Sequence, residues 1–137
     1  MTVLSRSAAS LRVFGDDLLP EEVTALLGAS PTSFEVKGGQ SQPNAGGRTF
    51  TARTGGWRLQ VARRSPGDLD GQIAELLDQL TTNLIAWREL TARFRVDMFC
   101  GLWLIEWNEG ISLDPSTLAA LGERGILLDL DIYRSES

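Results

Sequence analysis

Two carboxylates near the end of the chain have a spacing that could support acid–base or cation chemistry. Asp129 and Asp131 stand two positions apart in an alternating segment, so a strand would place both side chains on one face. Their Cβ atoms would lie about 7 Å apart, which suits a carboxylate pair or a bound cation. The sequence supplies no further ligands. A solvent-facing acidic row that discourages edge-to-edge strand pairing is the alternative interpretation.

The lack of histidine excludes several classes of chemistry. The chain has 137 residues, with no histidine and one cysteine. It therefore has no Ser-His or Cys-His nucleophile pair, and it cannot form a zinc site that contains histidine or consists only of thiolates. Cys100 lies in an apolar segment and is predicted to be a buried small hydrophobe. Calcium-loop and phosphate-loop patterns are missing, and the Gly-rich residues 38–47 indicate a mobile loop. We therefore expect no catalytic residue, no cofactor and no metal.

A basic segment contrasts with the acidic remainder of the chain. Residues 37–64 carry six basic residues and no acidic one, about +6, whereas the whole chain is −5 and the remainder is therefore about −11. Arg53, Arg58 and Arg63 could steer an anionic partner, because guanidinium groups bind carboxylate or phosphate in a bidentate manner. A solvated strand face is the simpler alternative. The acidic total charge and the lack of a recognised binding fold disfavour nucleic acid.

An aromatic row follows the single cysteine. Trp103, Ile105 and Trp107 alternate along one predicted strand and therefore share a face. If no helix covers that face, the row is an apolar patch of the kind used for partner or ligand contact. If a helix or loop covers it, the row belongs to the core, and the sequence leaves both alternatives open.

Hydrophobic periodicity and turn residues predict the elements that position these side chains. The first half is expected to contain a strand at 9–14, a helix at 20–27 ended by Gly28, a brief strand at 33–36, and a hairpin of strands at 48–53 and 57–63 turned at 54–56. In the second hairpin strand, Trp57 would point inward together with Leu59 and Val61.

The second half begins with the clearest helical pattern of the chain. Its expected elements are a helix that follows an N-cap at Asp68, a second helical piece at 84–92 or one longer helix, a strand at 94–107 bent or bulged at Gly101, a helix capped by Asp114, and a final strand at 126–132. The final strand would carry Asp129, Asp131 and Tyr133 on its second face.

A short pattern occurs twice, with an offset of 95 residues. Gly15, Leu18, Pro20, Val23 and Leu26 recur as Gly110, Leu113, Pro115, Leu118 and Leu121. Each copy predicts a short Pro-opened helix laid on a sheet. We expect one domain over 1–137, with halves at about 7–64 and 65–133. The predicted class is α+β, a mostly antiparallel sheet with helices packed on one face, and a doubled ferredoxin-like arrangement is the favoured topology.

The order of these segments resembles a bacterial family known as domain of unknown function 4279 (DUF4279). The resemblance rests on GDDLLPEEVTALLGASP, Lys37-Gly38, GGWRL, LDGQIAELLDQL and LDPSTLAALGERGILLDLDIY, and it covers nearly the whole chain. It implies a small protein without an assigned reaction, so no catalytic residue is carried over. The genomic association of some relatives with toxin genes implies an immunity role as one hypothesis.

The leading hypothesis for function is a non-enzymatic binding module that contacts a protein partner through its open sheet face and the basic hairpin. The alternative is a domain that binds a small molecule, including a small anionic ligand, in a pocket between the halves near Trp57, Trp103 and Tyr133. An enzyme that uses carboxylates comes third. Because no apolar run approaches the roughly 18 residues of a membrane span, and the opening residues lack an apolar signal region, we expect a cytoplasmic protein without a membrane partner.

Overall fold

The computed structural model describes residues 2–39 and 51–134. In chain order the elements are β1 (Arg6–Gly15), α1 (Pro20–Leu27), β2 (Ser33–Glu35), β3 (Gly55–Gln60), α2 (Leu69–Asp78), α3 (Leu84–Arg93), β4 (Arg95–Leu104), α4 (Pro115–Arg124) and β5 (Leu127–Arg134). Within the described ranges, each helix is too short and too polar to cross a membrane. The loop predicted at 38–47 lies, from residue 40 onward, outside the described residues.

The strands form one sheet of five in the order β2-β3-β1-β4-β5. Neighbouring strands are antiparallel except for β4 and β5, which are parallel and are connected through α4. The helices form a single layer, in which α1 packs on β3, α2 on β1, α3 on β4 and α4 on β5. The predicted α+β class, with a mostly antiparallel sheet and helices on one face, is confirmed.

The core fills the space between the sheet and the helix layer. Alternate strand residues such as Leu11, Trp57 and Met98 are fully buried on the helix side, where they pack with Ile73 and Trp87. Burial of one such side chain contributes about 1.5–3 kcal/mol, so these alternating positions decide which face of the sheet meets the helices. The opposite set of side chains is left to form the second face.

Local signals set the ends of the first helix. Pro20 begins α1 and Pro115 begins α4, as predicted, because the fixed φ of proline suits the first helical turn. Gly28 ends α1 with φ 79°, a left-handed conformation that favours glycine.

The helix pattern after residue 68 divides into two helices, since Asn83 accepts a hydrogen bond of 3.0 Å from the Ile85 N–H and starts α3.

Both aspartates predicted as caps occupy the N-cap position of their helices, but only Asp68 makes a capping bond with its side chain. Asp68 caps α2 by accepting a hydrogen bond of 3.1 Å from the Gly71 N–H. Asp114 stands before α4 without a capping bond from its side chain. Its own N–H donates instead to Asp70 at 2.9 Å, which ties the start of α4 to α2.

The hairpin turn predicted at 54–56 is wrong, whereas the strand predicted at 57–63 corresponds to β3, which begins at Gly55 and ends at Gln60. Gly55 and Gly56 lie inside β3 and not in a turn, and β3 pairs with β1 and β2. A Cβ atom on Gly55 would stand 2.7 Å from the carbonyl oxygen of Gly15, so glycine is needed where these strands pair. Residues 51–53 belong to no strand, and residues 48–50 lie outside the described part of the chain.

The internal repeat extends to the strand-helix unit and no further. Both Pro-opened helices follow a central strand and lie on the same side of the sheet. However, β5 is parallel to its neighbour β4, whereas β3 is antiparallel to β1. Of the described residues, those between 7 and 64 contain one helix and those from 65 to 133 contain three, so the two halves differ in helix content.

Cys100 is expected to react very slowly with a thiol reagent in the native protein. Its side chain is fully buried in β4 on the helix side, and this burial raises the pKa of the thiol to about 12. At pH 8 we expect labelling at least about 100-fold slower than in denaturant, measured by mass spectrometry, since both access and thiolate are lacking. Native labelling at the denatured rate would contradict this placement of β4.

A carboxylate connects the start of the chain to the segment after β4. Glu109 accepts hydrogen bonds from the backbone N–H groups of Ser5 and Glu106, at 2.8 and 3.0 Å, and from the Ser5 hydroxyl. These bonds, that from Glu106 foremost, lower the pKa of Glu109 below its ordinary value. The arrangement holds the backbone bridge between Val3 and Gly110 beside the end of the sheet.

The lowered pKa of Glu109 predicts a loss of stability in acid. A group whose pKa is lower in the folded state stabilises the protein above its unfolded pKa, near 4.3, and the stabilisation is lost as pH falls through the folded value. We therefore expect Glu109→Gln to destabilise the protein at pH 7 and to reduce the loss between pH 5 and pH 2. Urea unfolding at both ends of that range measures it. Glu106→Gln, the matched control, should leave the pH dependence unchanged.

Candidate functional site

One face of the sheet has no helix against it within the described residues, and we call it the open face. Because strand side chains alternate, the face collects every second residue of the central strands. Its side chains are Arg6, Ala8, Ser10, Arg12 and Phe14 of β1, Ser33 and Glu35 of β2, Gly56, Arg58 and Gln60 of β3, Arg95, Asp97, Phe99, Gly101 and Trp103 of β4, and Leu127, Asp129, Asp131 and Tyr133 of β5.

The centre of the open face is an ion pair between the two central strands. Arg12 donates to both carboxylate oxygens of Asp97, at 2.8 and 2.9 Å, and Asp129 lies 3.6 Å from the same guanidinium. The Asp97 side chain is 0% exposed. The hydrogen bond to Asp97 raises the pKa of Arg12 above its ordinary value. The charge of Arg12 is thus neutralised inside the sheet face, which indicates a structural role.

The same guanidinium also covers aromatic rings. Arg12 stands 4.1 Å from the ring centroid of Phe99 and 5.2 Å from that of Phe14. Arg58 also stands over Phe14, 5.2 Å from its ring centroid. Cation–π contacts of this kind contribute about 0.5–2 kcal/mol each, so they keep the aromatic side chains flat against the sheet.

A second cluster surrounds Trp103, and we call Trp103, Tyr133, Arg6 and Arg63 the Trp103 cluster. The rings of Trp103 and Tyr133 are stacked, with centroids 5.4 Å apart and an interplanar angle of 17°. Arg6 and Arg63 lie 4.6 and 5.0 Å from the Trp103 ring centroid. In the described residues, neither arginine has a carboxylate within ion-pair distance. The cluster therefore offers positive charge beside an aromatic surface.

Gly101 explains how the indole lies on the sheet. A Cβ atom at this position would stand 2.7 Å from the Trp103 ring, so only glycine leaves room for the ring to lie over β4. The predicted bulge or bend at Gly101 is wrong, because the register between β1 and β4 continues without interruption from Arg6 to Phe14. Gly101 therefore allows the Trp103 ring to lie close to the backbone of β4, and it does not interrupt the pairing of the strand.

A shallow cleft of about 230 Å³ opens beside the Trp103 cluster. Its floor consists of small residues, and its walls are aromatic or polar; the lining comprises Ala8, Ala9, Ser10, Gln60, Val61, Arg63, Phe99, Gly101, Trp103 and Tyr133. Residues from both halves of the chain contribute to this lining. The cleft is smaller than the roughly 300–1,000 Å³ usual for small-molecule sites.

A buried polar network fixes the backbone that carries Arg63. The Gln72 side chain donates to the carbonyl oxygens of Ser7 and Ala62, at 3.1 and 3.0 Å, and accepts from the Ser7 hydroxyl at 2.6 Å. The backbone of Arg64 is paired with Ser7 by two hydrogen bonds of 3.0 Å. The segment after β3 is therefore held on both sides of Arg63, and its guanidinium is directed over Trp103.

The predicted basic residues do not form one patch. Arg58 and Arg63 reach the open face, whereas the exposed Arg53 precedes β3 and stands at the opposite end of that strand from Arg63. Arg58 pairs with Glu35 at 3.0 Å. Arg64 of the same basic segment, residues 37–64, pairs with Asp68 at 2.5 Å. Much of the positive charge of the basic segment is therefore neutralised by neighbouring carboxylates.

The two C-terminal aspartates share the open face, as predicted, and each has a partner there. Asp129 lies beside Arg12, and Asp131 accepts a hydrogen bond from the Tyr133 hydroxyl. The bond to Asp131 raises the pKa of Tyr133. Because β5 is the last strand in the sheet order, both carboxylates stand at the edge of the sheet and make that edge acidic.

The aromatic residues predicted as contacts separate into three environments. Trp57 is 0% exposed on the helix side, where its Nε1–H donates to the Thr24 hydroxyl at 3.1 Å, so its predicted place in a pocket with Trp103 and Tyr133 is wrong. Trp103 is half-buried by arginines on the open face and not by a helix. Trp107 lies beyond β4 and is 89% exposed, with Arg134 4.6 Å from its ring centroid.

Four members of the site were not predicted from the sequence: Arg6, Arg12, Asp97 and Phe99. Alternation along β1 and β4 places Arg12, Asp97 and Phe99 on the face opposite to the core residues of these strands. Their contacts depend on the pairing of β1 with β4, in which Arg12 stands opposite Asp97 and Ser10 opposite Phe99. The sequence contained one indication of this pairing, namely the opposite charges of Arg12 and Asp97 on two strands with alternating patterns.

The comparisons with known proteins assign the chain to a family. A family model described as Domain of unknown function (DUF4279) matches residues 5–135. The chain therefore belongs to this family, and the resemblance seen in its sequence is confirmed. Neither the curated proteins nor the solved structures contain a match.

Proposed function

We propose that this protein is a binding module that contacts a partner protein through the open face. The observation that carries the proposal is the Trp103 cluster, which presents Trp, Tyr and two arginines on a sheet face without a helix against it in the described residues. Tryptophan, tyrosine and arginine are the residue types that most often dominate the energy of protein interfaces. A rigid sheet presents them without loss of backbone entropy on binding.

The way in which the aromatic rings are covered supports protein over nucleic acid. Proteins that bind single strands stack free aromatic faces on bases. Here Arg12 and Arg58 lie on Phe14, Arg12 lies on Phe99, and Tyr133 lies against Trp103. Acidic side chains on the same face would also repel phosphates. A mixed, polar protein surface fits these charges better.

A small anionic ligand is the second candidate. The cleft beside Arg63 supports it, since a guanidinium and an aromatic wall could hold a carboxylate attached to a flat group. The limited volume of the cleft favours a contact site for one partner side chain over a complete ligand site. We propose no catalysis at either site, because the carboxylates of the open face are engaged with Arg12 and Tyr133.

Photo-crosslinking in the cell tests the proposal. A photoreactive residue in place of Gln60, which is exposed on the open face beside the cleft, should give a protein adduct of defined mass. The same residue in place of Ala119, which is exposed on α4, is the matched control and should give much less adduct. Equal yields at both positions would contradict the proposal. A bound metabolite without any protein adduct would favour the second candidate.

A further inference from the structure

We infer that the partner on the open face is a second copy of this chain, paired face to face about a two-fold axis parallel to β1 and β4. The inference rests on the proposed function and names the partner of the same site. It is carried by the distribution of charge across the sheet, by the alignment of that charge along the strands, and by the area of the face.

The two sides of the open face carry opposite charge. On the β3 side lie Arg58 and Arg63, with Glu35 of β2 paired to Arg58, so this side carries a net positive charge. On the β5 side lie Asp129 and Asp131. The central strands β1 and β4 separate the two sides. The positive and negative charges of the open face nearly cancel, so the −5 charge of the whole chain does not oppose contact through this face. The charged residues of the face are Arg6, Arg12, Arg58, Arg63 and Arg95 against Glu35, Asp97, Asp129 and Asp131.

This distribution is self-complementary for one orientation of the axis. A two-fold axis that runs parallel to the strands in the plane of contact places β3 of one copy against β5 of the other. The basic side then meets the acidic side twice, once at each edge. An axis perpendicular to the strands would place β3 on β3 and β5 on β5, so that like charges would meet.

The charges also match along the strand direction. The backbone bridge between Ser7 and Arg64 places Arg63 near the level of Ser7, while Asp131 stands level with Gly101 and Ala8. Rotation about an axis parallel to the strands preserves these levels. The backbone of Arg63 in one copy therefore comes opposite the backbone of Asp131 in the other. The long Arg63 side chain reaches that carboxylate by turning from the Trp103 ring, and the reciprocal contact forms by symmetry.

The area of the open face suits a stable dimer. Strands spaced about 4.8 Å apart with a rise of about 3.3 Å per residue give a face of roughly 600–800 Å². Specific interfaces bury about 800 Å² on each partner. The Trp103 cluster, with Tyr133 42% exposed, lies inside this area and would supply the apolar contact that the charged edges align.

Charge reversal tests the inference with the purified full chain. Sedimentation equilibrium should show a dimer for the wild type. Arg63→Glu and Asp131→Lys should each weaken it by at least about 100-fold, because each places two like-charge contacts in the symmetric dimer. A mixture of the two variants should form a heterodimer of near wild-type affinity, and the double variant Arg63→Glu/Asp131→Lys should recover the homodimer. Recovery also shows that the variants are folded.

Arg53→Glu is the matched control, since it reverses an exposed arginine at the far end of β3 and should leave the dimer unchanged. The inference would be overturned if the wild type remained a monomer at a protein concentration of about 100 μM, because its dissociation constant would then exceed that value. So would equal weakening by Arg53→Glu, or no recovery in the mixture. In those cases a crosslink from position 60 to a different protein would still support the proposed function, so the two failures are distinguishable.

Discussion

Replacing Asp97 by Ala is expected to lower the free energy of unfolding by about 3 kcal/mol, as for other buried ion pairs that lose one partner. The fully buried carboxylate accepts two hydrogen bonds from Arg12, and its loss leaves that guanidinium without its main counter-charge at the centre of the sheet. Asp129, 3.6 Å from Arg12, compensates only in part. Urea unfolding at pH 7 measures the change.

The control for this prediction is Asp17→Ala, which removes an exposed aspartate from the segment between β1 and α1. Surface changes of this kind usually alter stability by less than about 0.5 kcal/mol. The double variant Arg12→Met/Asp97→Leu should recover much of the lost stability, because two apolar groups of similar size leave no unpaired charge in the buried position of Asp97. A loss below about 1 kcal/mol for Asp97→Ala would show that the pair is dispensable.

Replacing Trp103 by Ala is expected to weaken association through the open face by at least about 30-fold, as for an aromatic residue at the centre of an interface. The substitution removes the ring against which Tyr133, Arg6 and Arg63 lie. The effect should appear as faster dissociation with little change in salt response. Trp103→Phe should retain most of the affinity, since a ring can still lie over Gly101.

Trp107→Ala is the matched control, because this side chain is exposed beyond β4 and stands outside the Trp103 cluster. We expect its effect on affinity to be less than about threefold. Surface plasmon resonance at two salt concentrations separates the rates. Equal losses for the two tryptophans, or unfolding of Trp103→Ala, would show that the cluster is not the contact that we describe.

Much of the fold could be predicted because its signals are local. Alternation along residues 9–14 and 94–107 identified the two central strands, of which the second ends earlier than predicted, at Leu104. Pro20, Gly28 and Asp68 set helix ends through their own backbone and side chains. Residues of these types act within a few positions of themselves. The sequence was therefore sufficient for the class of fold and for most element boundaries.

The errors arose where a residue acts through a distant strand. Gly55 and Gly56 resemble a hairpin turn, yet the close approach of Gly15 across the sheet makes them part of β3. Gly101 resembles a bulge, yet it makes room for the ring of Trp103. Glycine has no side chain to show which of these needs it serves, and only the neighbouring strand decides.

The candidate site was predicted in part for the same reason. Asp129, Asp131 and Tyr133 were placed on one face by alternation alone, and the face is as expected. Trp57 was assigned correctly to the inward face but wrongly to a shared pocket, because the inward face of β3 meets α1 and not the cleft. Arg6 and Arg12 entered the site only through the pairing of β1 with β4.

Hydroxyl-radical footprinting in intact cells tests the central claim most directly, since it reports which aromatic side chains a partner protein covers. Oxidation of Trp103 and Tyr133 is compared between cells and the dilute purified chain, with Phe34, which is 60% exposed on the helix side of the edge strand, as internal reference. Our account predicts that Trp103 and Tyr133 are protected in cells relative to Phe34. Oxidation of the open face equal to that of the dilute chain would contradict it.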